Sequence, residues 1–251
     1  MKKQIPNAIT LLNALCGCIA VVFAMTSQFE LTALFVFLGI FFDFFDGLAA
    51  RTLKVQSELG LQLDSLADMI TSGLVPGLVM FQLIGMSLGM GFSMDLMAAP
   101  KDSFWDGLHI NLLPFVGFLI TLGSCYRLAN FNIDENQTSS FIGLPTPANT
   151  LLIVSLPLIL LYQGNDRIND IILNEWFLIG LTLCSCYILN AKIPLFALKF
   201  KNWSFKDNAL RYIFLLISGV LIVTLKFVAI PVIIVFYIIS SVISNITSGK
   251  E

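Results

Sequence analysis

The sequence predicts an all-α fold, a polytopic membrane bundle of about eight transmembrane helices in one integral membrane domain. Of its 251 residues, 57% are hydrophobic and 12% are charged, and the mean hydropathy is +0.87. This composition excludes an ordinary soluble domain. The chain also contains several apolar runs of the roughly 20 residues that a membrane span needs. We expect the spans at residues 8–26, 31–52, 60–90, 111–131, 147–163, 174–191, 210–227 and 230–246.

Polar segments divide the apolar runs in chain order. TSQFE separates the first two spans, RTLKVQSE the second and third, SMDLMAAPKDSFWDG the third and fourth, and YQGNDRINDIILNE the fifth and sixth. Gly73, Pro76 and Gly77 interrupt the long third run and predict a kinked helix there. The last two runs are separated only by residues 226–230, so they form either two spans or one interrupted segment.

The basic residues concentrate on one side of the expected bundle. They precede the first span, follow the second and fourth, and fill the segment after the sixth: Lys2, Lys3, Arg51, Lys54, Arg127, Lys192, Lys199, Lys201 and Lys206. The opposite loops are acidic or neutral. Because short cytoplasmic loops carry the excess of Lys and Arg, we expect both termini in the cytoplasm, in a bacterial inner membrane.

Four aspartates lie within or beside the second and third spans, where a charge at the bilayer centre costs on the order of 3 kcal/mol. Asp43 and Asp46 are three residues apart, and Asp64 and Asp68 are four apart, so each pair shares one helix face. The short polar link RTLKVQSE predicts that the two helices are antiparallel neighbours. The four carboxylates would then face one another near the cytoplasmic surface.

Four like charges this close need compensation. Hard divalent cations supply it, because Mg²⁺ binds through a few carboxylates and shares its other positions with water and substrate phosphates. The five cysteines have no His or Cys partner at metal-ligand spacing, which favours Mg²⁺, Mn²⁺ or Ca²⁺ over zinc. Two alternatives remain open: pairing of the aspartates with Arg51 and Lys54 at the membrane edge, or a cation-conducting or proton-relay site.

Small residues lie beside the acids. Gly47 and Ala50 flank Asp46, and Gly60 lies one turn before the second acidic pair. Small residues either allow close helix packing or leave room for a flat, extended ligand to approach the backbone. With Arg51 next to them, the second interpretation puts the phosphates of that ligand between the metal ions and a guanidinium.

The whole set resembles the signature of the CDP-alcohol phosphotransferase family, D-x2-D-G-x2-A-R-x8-G-x3-D-x3-D. Eight fixed positions within 26 residues make the match highly specific. Every element stands at its spacing, at Asp43, Asp46, Gly47, Ala50, Arg51, Gly60, Asp64 and Asp68.

The resemblance implies transfer of a phosphate-linked group from a CDP-activated donor to an alcohol. It implies two divalent cations, Mg²⁺ or Mn²⁺, held by the four aspartates, with Asp68 also the general base. The Gly47, Ala50, Arg51 and Gly60 positions would line the CDP pocket. It also suggests a homodimer, and we expect no nucleic-acid partner. We expect a catalytic six-helix core in residues 1–191, followed in 192–251 by a cytoplasmic basic loop and two spans.

Other stretches resemble the phosphatidylserine synthase branch of this family. They are IPNAITLLNALCG, LDSLADMITSGLVPG, YRLANFNI and GLPTPA, which with the signature extend over residues 5–148. The segment ITSG departs from the V-S-F-G of that branch at Thr71 and Ser72. By this resemblance the donor is CDP-diacylglycerol, the acceptor is L-serine, and the products are phosphatidylserine and CMP.

A zwitterionic acceptor needs a cation for its carboxylate and polar oxygens for its ammonium group. Arg127, Asn130 and Asn132, at an expected cytoplasmic helix end, are the predicted acceptor-binding residues. Alternatively, Arg127 anchors its helix at the headgroups. Two other functions remain open. One is a relative whose acceptor is glycerol 3-phosphate or inositol phosphate, which would call for more basic residues. The other is a cation transporter, whose two related halves are not matched by a second Asp cluster in residues 130–251.

Overall fold

The computed structural model describes residues 4–89, 112–133, 141–195 and 205–248, and it confirms the all-α class. The predicted ends at residues 90 and 111, and the basic residues Lys2, Lys3, Lys199 and Lys201, lie outside the described residues. The helices are α1 (Gln4–Met25), α2 (Phe29–Leu53), α3 (Glu58–Asp68), α4 (Val75–Ser87), α5 (Leu119–Ile133), α6 (Thr146–Tyr162), α7 (Asp166–Ile172), α8 (Glu175–Asn190), α9 (Phe205–Leu225) and α10 (Ala229–Ser248).

Short irregular elements connect these helices. A π-helical segment, Met69–Leu74, joins α3 to α4, and the 3-10 segments Leu113–Phe118 and Lys226–Val228 precede α5 and α10. Strands β1 (Phe141–Ile142) and β2 (Pro194–Leu195) form a two-residue antiparallel pair. This small ladder lies beside an otherwise helical bundle.

The interior is built around α4 and α6. Nearly every residue of α4 is buried, and Met80 and Leu83 of α4 and Ile153 of α6 are fully buried. A helix that is apolar on all sides belongs inside a bundle. The outer helices instead expose large apolar side chains, such as Phe37 of α2 and Val223 of α9, which suit contact with lipid.

The predicted number of eight spans is not confirmed. Within the described residues, four helices are long and apolar enough to cross a bilayer: Gln4–Met25, Phe29–Leu53, Glu58–Ser87 and Arg211–Asn245. Counting α7 and α8 as one span, bent by 55° at their junction, gives a fifth. Helix α6 is apolar but only 17 residues long.

The last of these stretches, residues 211–245, folds back on itself. Lys226 has a left-handed backbone conformation, with φ of 49°. The ring of Phe214 in α9 lies 5.6 Å from that of Phe236 and 5.7 Å from that of Tyr237, both in α10. In one straight helix residues so distant in sequence would be about 30 Å apart. The stretch is therefore a hairpin of two helices, in agreement with the two-span interpretation.

The predicted interruption of the third span takes the form of the π-helical segment. Pro76 has no backbone N–H, so the carbonyl of Ser72 lacks its usual donor four residues later. Thr150 Oγ1 of α6 lies 2.9 Å from this carbonyl and from the Thr146 carbonyl of its own helix, between which its hydroxyl is shared. Thr121 Oγ1 of α5 donates to the Gly73 carbonyl at 3.0 Å. Hydroxyl groups commonly satisfy backbone groups that a broken transmembrane helix releases. The two threonines thus hold the π-helical segment against its neighbours.

We expect Thr150→Val to lower the thermal unfolding midpoint of the protein in lipid nanodiscs. Valine keeps the side-chain shape but leaves the buried Ser72 carbonyl without its donor from α6, at a cost of roughly 1–3 kcal/mol. Thr224→Val is the matched control, because exposed Thr224 donates to carbonyls of its own helix. Equal midpoints for the two variants would contradict the role of Thr150.

Candidate active site

The link between α2 and α3 brings the four aspartates to the same end of the bundle. Lys54 ends α2 in a left-handed conformation, with φ of 54°. Ser57 then caps α3 by accepting a hydrogen bond of 3.1 Å from the Gly60 N–H. Asp46 lies seven residues before the end of α2 at Leu53, about 10 Å along the helix. The acids therefore sit about two to three turns below the link.

Helix α1 packs against both acid-bearing helices. Its contacts with α2 and with α3 are more extensive than those between α2 and α3 themselves. The two acid-bearing helices therefore meet within a three-helix arrangement, in which α1 closes one side of the acidic cluster.

The structure brings three of the four carboxylates together. Carboxylate oxygens of Asp43, Asp46 and Asp64 all lie within 4.8 Å of one another. Asp68 does not belong to this group of three, but its carboxyl is within hydrogen-bonding reach of Asp43. It also accepts a hydrogen bond from Asn13 Nδ2 at 3.3 Å. The cluster therefore consists of three convergent acids and a fourth at its edge.

The chemistry of this cluster fits a hard divalent cation. Asp46 is only 5% exposed, and within the described part of the chain its Oδ2 has no hydrogen-bond partner. A buried, unpaired carboxylate oxygen is costly, and a cation bound by three carboxylates would remove that cost. An all-oxygen donor set is the kind that Mg²⁺ and Mn²⁺ prefer.

The alternative in which basic residues neutralise the acids finds no support. Neither Arg51 nor Lys54 is among the charged groups that act on any of the four aspartates. Both side chains are exposed. The positive charge of Arg51 is therefore available to a ligand.

A cavity of about 860 Å³ opens beside the acids. Pockets of 300–1,000 Å³ are typical of small-molecule sites, so a nucleoside diphosphate fits. The wall comes from α1, α2, the α2–α3 link, α3 and one residue of α5. It comprises Pro6, Asn7, Thr10, Asp43, Phe44, Asp46, Gly47, Ala50, Arg51, Val55, Gln56, Ser57, Glu58, Gly60, Leu61, Asp64 and Phe131.

All four predicted donor-binding residues, Gly47, Ala50, Arg51 and Gly60, line this cavity. A Cβ at Gly60 would lie 3.2 Å from Ser57 Oγ and 3.3 Å from Asn7 Oδ1, so a side chain there would crowd the wall. At Gly47 the nearest atom would be a guanidinium nitrogen of Arg51, 3.7 Å away. The glycine there leaves the space in front of Arg51 open.

The predicted acceptor-binding residues do not converge in the same way. Arg127 Nη1 donates to the Leu189 carbonyl at 2.6 Å, which ties α5 to the last turn of α8. Asn132 accepts a hydrogen bond of 3.0 Å from Ser65 Oγ, next to Asp64 in α3. Asn130 is half-buried on α5. Asn132 is therefore the one whose contacts reach the acid-bearing helix.

Sequence reasoning missed the contribution of Thr10 and Asn13 of α1 to the site. Thr10 lies beside Asp46, although its Oγ1 donates to the Pro6 carbonyl at 3.1 Å, and Asn13 is bonded to Asp68. Asn7, Thr10 and Asn13 recur every three residues in an otherwise apolar run. Because polar side chains in a membrane helix usually face the bundle interior, this stripe was the signal that could have identified them.

We expect Asp46→Asn to weaken Mn²⁺ binding at least about tenfold. The substitution keeps the side-chain shape but removes one negative charge from the group of three. Titration followed by the electron paramagnetic resonance signal of free Mn²⁺ measures the affinity.

Asp170→Asn, in exposed α7, is the matched control for Mn²⁺ binding and should leave the affinity unchanged. If Asp46→Asn bound Mn²⁺ as tightly as this control, the cluster would not be a metal centre.

Comparison with known proteins agrees with this site. Residues 3–187 match the family described as CDP-alcohol phosphatidyltransferase. The chain is similar to the CDP-diacylglycerol--serine O-phosphatidyltransferase of Bacillus subtilis, with 33% identity over 158 residues, which covers 61% of this chain and 75% of the relative.

Two further relatives carry the same name. The Helicobacter pylori protein is 30% identical over 216 residues, 84% of this chain and 79% of the relative. The Methanocaldococcus jannaschii protein is 28% identical over 150 residues, 60% of this chain and 58% of the relative. The family match covers most of the chain and includes every residue of the acidic cluster, so this chain belongs to the CDP-alcohol phosphatidyltransferase family.

Proposed function

We propose that this chain transfers the phosphatidyl group of CDP-diacylglycerol to the hydroxyl of L-serine, giving phosphatidylserine and CMP. The observation that carries the proposal is the convergence of Asp43, Asp46 and Asp64 on a cavity that also contains Arg51. The acceptor is proposed from the relatives, which are named for serine.

The donor would bind with its acyl chains in the bilayer and its nucleotide in the cavity. Arg51 lies on the same wall as Gly47 and Ala50, and a guanidinium pairs well with phosphate oxygens. Gly47 has no side chain to block the approach of the diphosphate to Arg51. The exposed apolar surface of α2, which includes Phe41 and Phe44, would face the acyl chains.

Asp43, Asp46 and Asp64 would hold the cations, with Asp68 a further ligand at the edge of the group. The family is metal-dependent and the chain has the acidic cluster for it, and we assign two ions, Mg²⁺ or Mn²⁺. When bound, they would neutralise the donor diphosphate and the charge that develops on the departing CMP.

The reaction is a displacement at the phosphorus that carries the diacylglycerol. The serine hydroxyl oxygen forms a bond to this phosphorus, the bond from phosphorus to the bridging oxygen breaks, and CMP leaves with that oxygen. Asp68 accepts the hydroxyl proton, as a general base held within reach of the nucleophile. The position of Asp68 at the edge of the three-acid group supports a role different from that of the others.

We also propose that Arg127, Asn130 and Asn132 bind the acceptor. The bond of Asn132 to Ser65 supports this, because it places Asn132 against the residue that follows Asp64 in α3. Arg127 would bind the serine carboxylate after exchanging its bond with the Leu189 carbonyl. The amide oxygens of the two asparagines would accept from the ammonium group.

The setting of the enzyme is part of the proposal. The positive-inside distribution supports cytoplasmic termini and a cytoplasmic active site, in a bacterial inner membrane. The family resemblance supports a homodimer, and light scattering in detergent tests it. We propose a catalytic core in residues 1–191 followed by the C-terminal helices, which is in keeping with the family match over residues 3–187.

Purified protein given CDP-diacylglycerol and Mn²⁺ should release CMP when L-serine is added. Glycerol 3-phosphate should not replace serine, because a phosphorylated acceptor needs more positive charge than Arg51, Lys54 and Arg127 supply. Chromatography of CMP and of the lipid product measures both reactions.

The reverse acceptor preference would overturn the serine assignment. Movement of Mn²⁺ into liposomes without any release of CMP would instead support a cation transporter.

Asp68→Asn should abolish turnover while CDP-diacylglycerol still binds, because an amide cannot accept the hydroxyl proton. Rate measurements at saturating serine, with donor binding followed by calorimetry, separate the two effects. Asp170→Asn should behave as the unmodified protein. Full activity of Asp68→Asn would show that another group accepts the proton.

A further inference from the structure

We propose that Asn13 and Thr71 form a hydrogen-bonded relay that fixes the orientation of the Asp68 carboxylate. The inference concerns two positioning residues outside the family signature, and it rests on the proposed role of Asp68 as the general base. Neither residue is among those that line the cavity. Their effect on the reaction would therefore pass through Asp68.

The first contact of the relay joins α1 to Asp68. Asn13 is fully buried in α1, and its Nδ2 donates to Asp68 Oδ1 at 3.3 Å. A hydrogen bond to a charged acceptor is stronger than one between neutral groups. The bond to Oδ1 limits rotation of the Asp68 carboxyl group, so the position of its other oxygen is fixed as well.

The second contact fixes which end of the Asn13 amide faces Asp68. Thr71 Oγ1 donates to Asn13 Oδ1 at 2.8 Å, a shorter contact than the 3.2 Å to the Asn13 backbone carbonyl. An amide presents an acceptor at one end and donors at the other. Because the Thr71 hydroxyl occupies the oxygen end, the NH₂ end points to Asp68.

The surrounding helices are shaped to hold Thr71 in this place. Thr71 lies fully buried in the π-helical segment directly after Asp68. A Cβ at Gly17 of α1 would lie 2.5 Å from Thr71 Oγ1, and one at Gly39 of α2 would lie 2.7 Å from its Cγ2 and 2.9 Å from Asn13 Oδ1. Real Cβ atoms do not approach so closely, so the two glycines leave the space that the relay occupies.

The π-helical segment explains why the relay can exist next to a catalytic residue. π-Helical turns inside α-helices are rare and are frequent at functional sites. Here the wider turn follows Asp68 immediately and directs Thr71 between α1 and α2. Thr71 orients the Asn13 amide that donates to Asp68. Asp68 and Thr71 therefore belong to one continuous stretch of chain.

The test uses three substitutions, two at Thr71 and one at a control position, Thr182. Thr71→Val keeps the shape and removes the hydroxyl, and we expect kcat to fall about 10- to 100-fold while the KM for CDP-diacylglycerol is unchanged. Thr71→Ser restores the hydroxyl and should recover most of kcat. Thr182→Val is the control: Thr182 is equally buried, but it donates to a carbonyl of its own helix, α8, so kcat should not change.

A second substitution decides the question if Thr71→Val fails to fold, as judged by its unfolding midpoint. Asn13→Leu keeps the approximate size, but it removes the donor to Asp68 and adds no charge to the cluster. We expect the same loss of kcat, with binding of the donor by calorimetry retained.

The relay is wrong if Thr71→Val and Asn13→Leu keep the kcat of the Thr182→Val control. It is also wrong if Thr71→Ser is as slow as Thr71→Val, since shape rather than the hydroxyl would then matter. Failure of the proposed base would look different: Asp68→Asn itself would remain active. If Asp68→Asn were inactive while Thr71→Val remained fully active, the assignment of Asp68 as the base would stand and only the relay would be rejected.

Discussion

Repulsion among closely spaced carboxylates is the constraint on which the arrangement of the first three helices depends. Asp43, Asp46 and Asp64 place oxygens within 4.8 Å of one another, and no basic side chain of the described residues offsets them there. This electrostatic repulsion would fall if α2 and α3 moved apart. The extensive packing of α1 on both α2 and α3 opposes that separation, and bound cations would convert repulsion into attraction.

The bundle holds this cluster through hydroxyl groups and small residues rather than through ion pairs. Thr150 and Thr121 bind carbonyls that the π-helical segment releases, and Thr71 binds Asn13 from the same segment. Each bond joins a different neighbouring helix to the chain just after Asp68. The π-helical segment is thus the point where the position of the Asp68 carboxylate is connected to the packing of the core.

Local sequence was sufficient to predict the acidic site and insufficient to predict its support. The acids, Gly47 and Arg51 could be placed together because helical spacing and a short link determine their geometry. The contact of Asn13 with Asp68 could not be predicted, because it depends on how α1 packs against a residue 55 positions later in the sequence. Apolar composition also left open whether the last two predicted spans form two helices or one interrupted segment, and the left-handed backbone at Lys226 decides for a hairpin of two helices.

Locating Mn²⁺ by anomalous X-ray diffraction from crystals grown with the metal and CDP tests the central claim most directly. The account predicts two anomalous peaks within coordination distance of the carboxylates of Asp43, Asp46, Asp64 and Asp68, with the CDP phosphates and Arg51 on the cavity side. Well-ordered CDP without any peak at these aspartates, or with Mn²⁺ bound elsewhere, would contradict it.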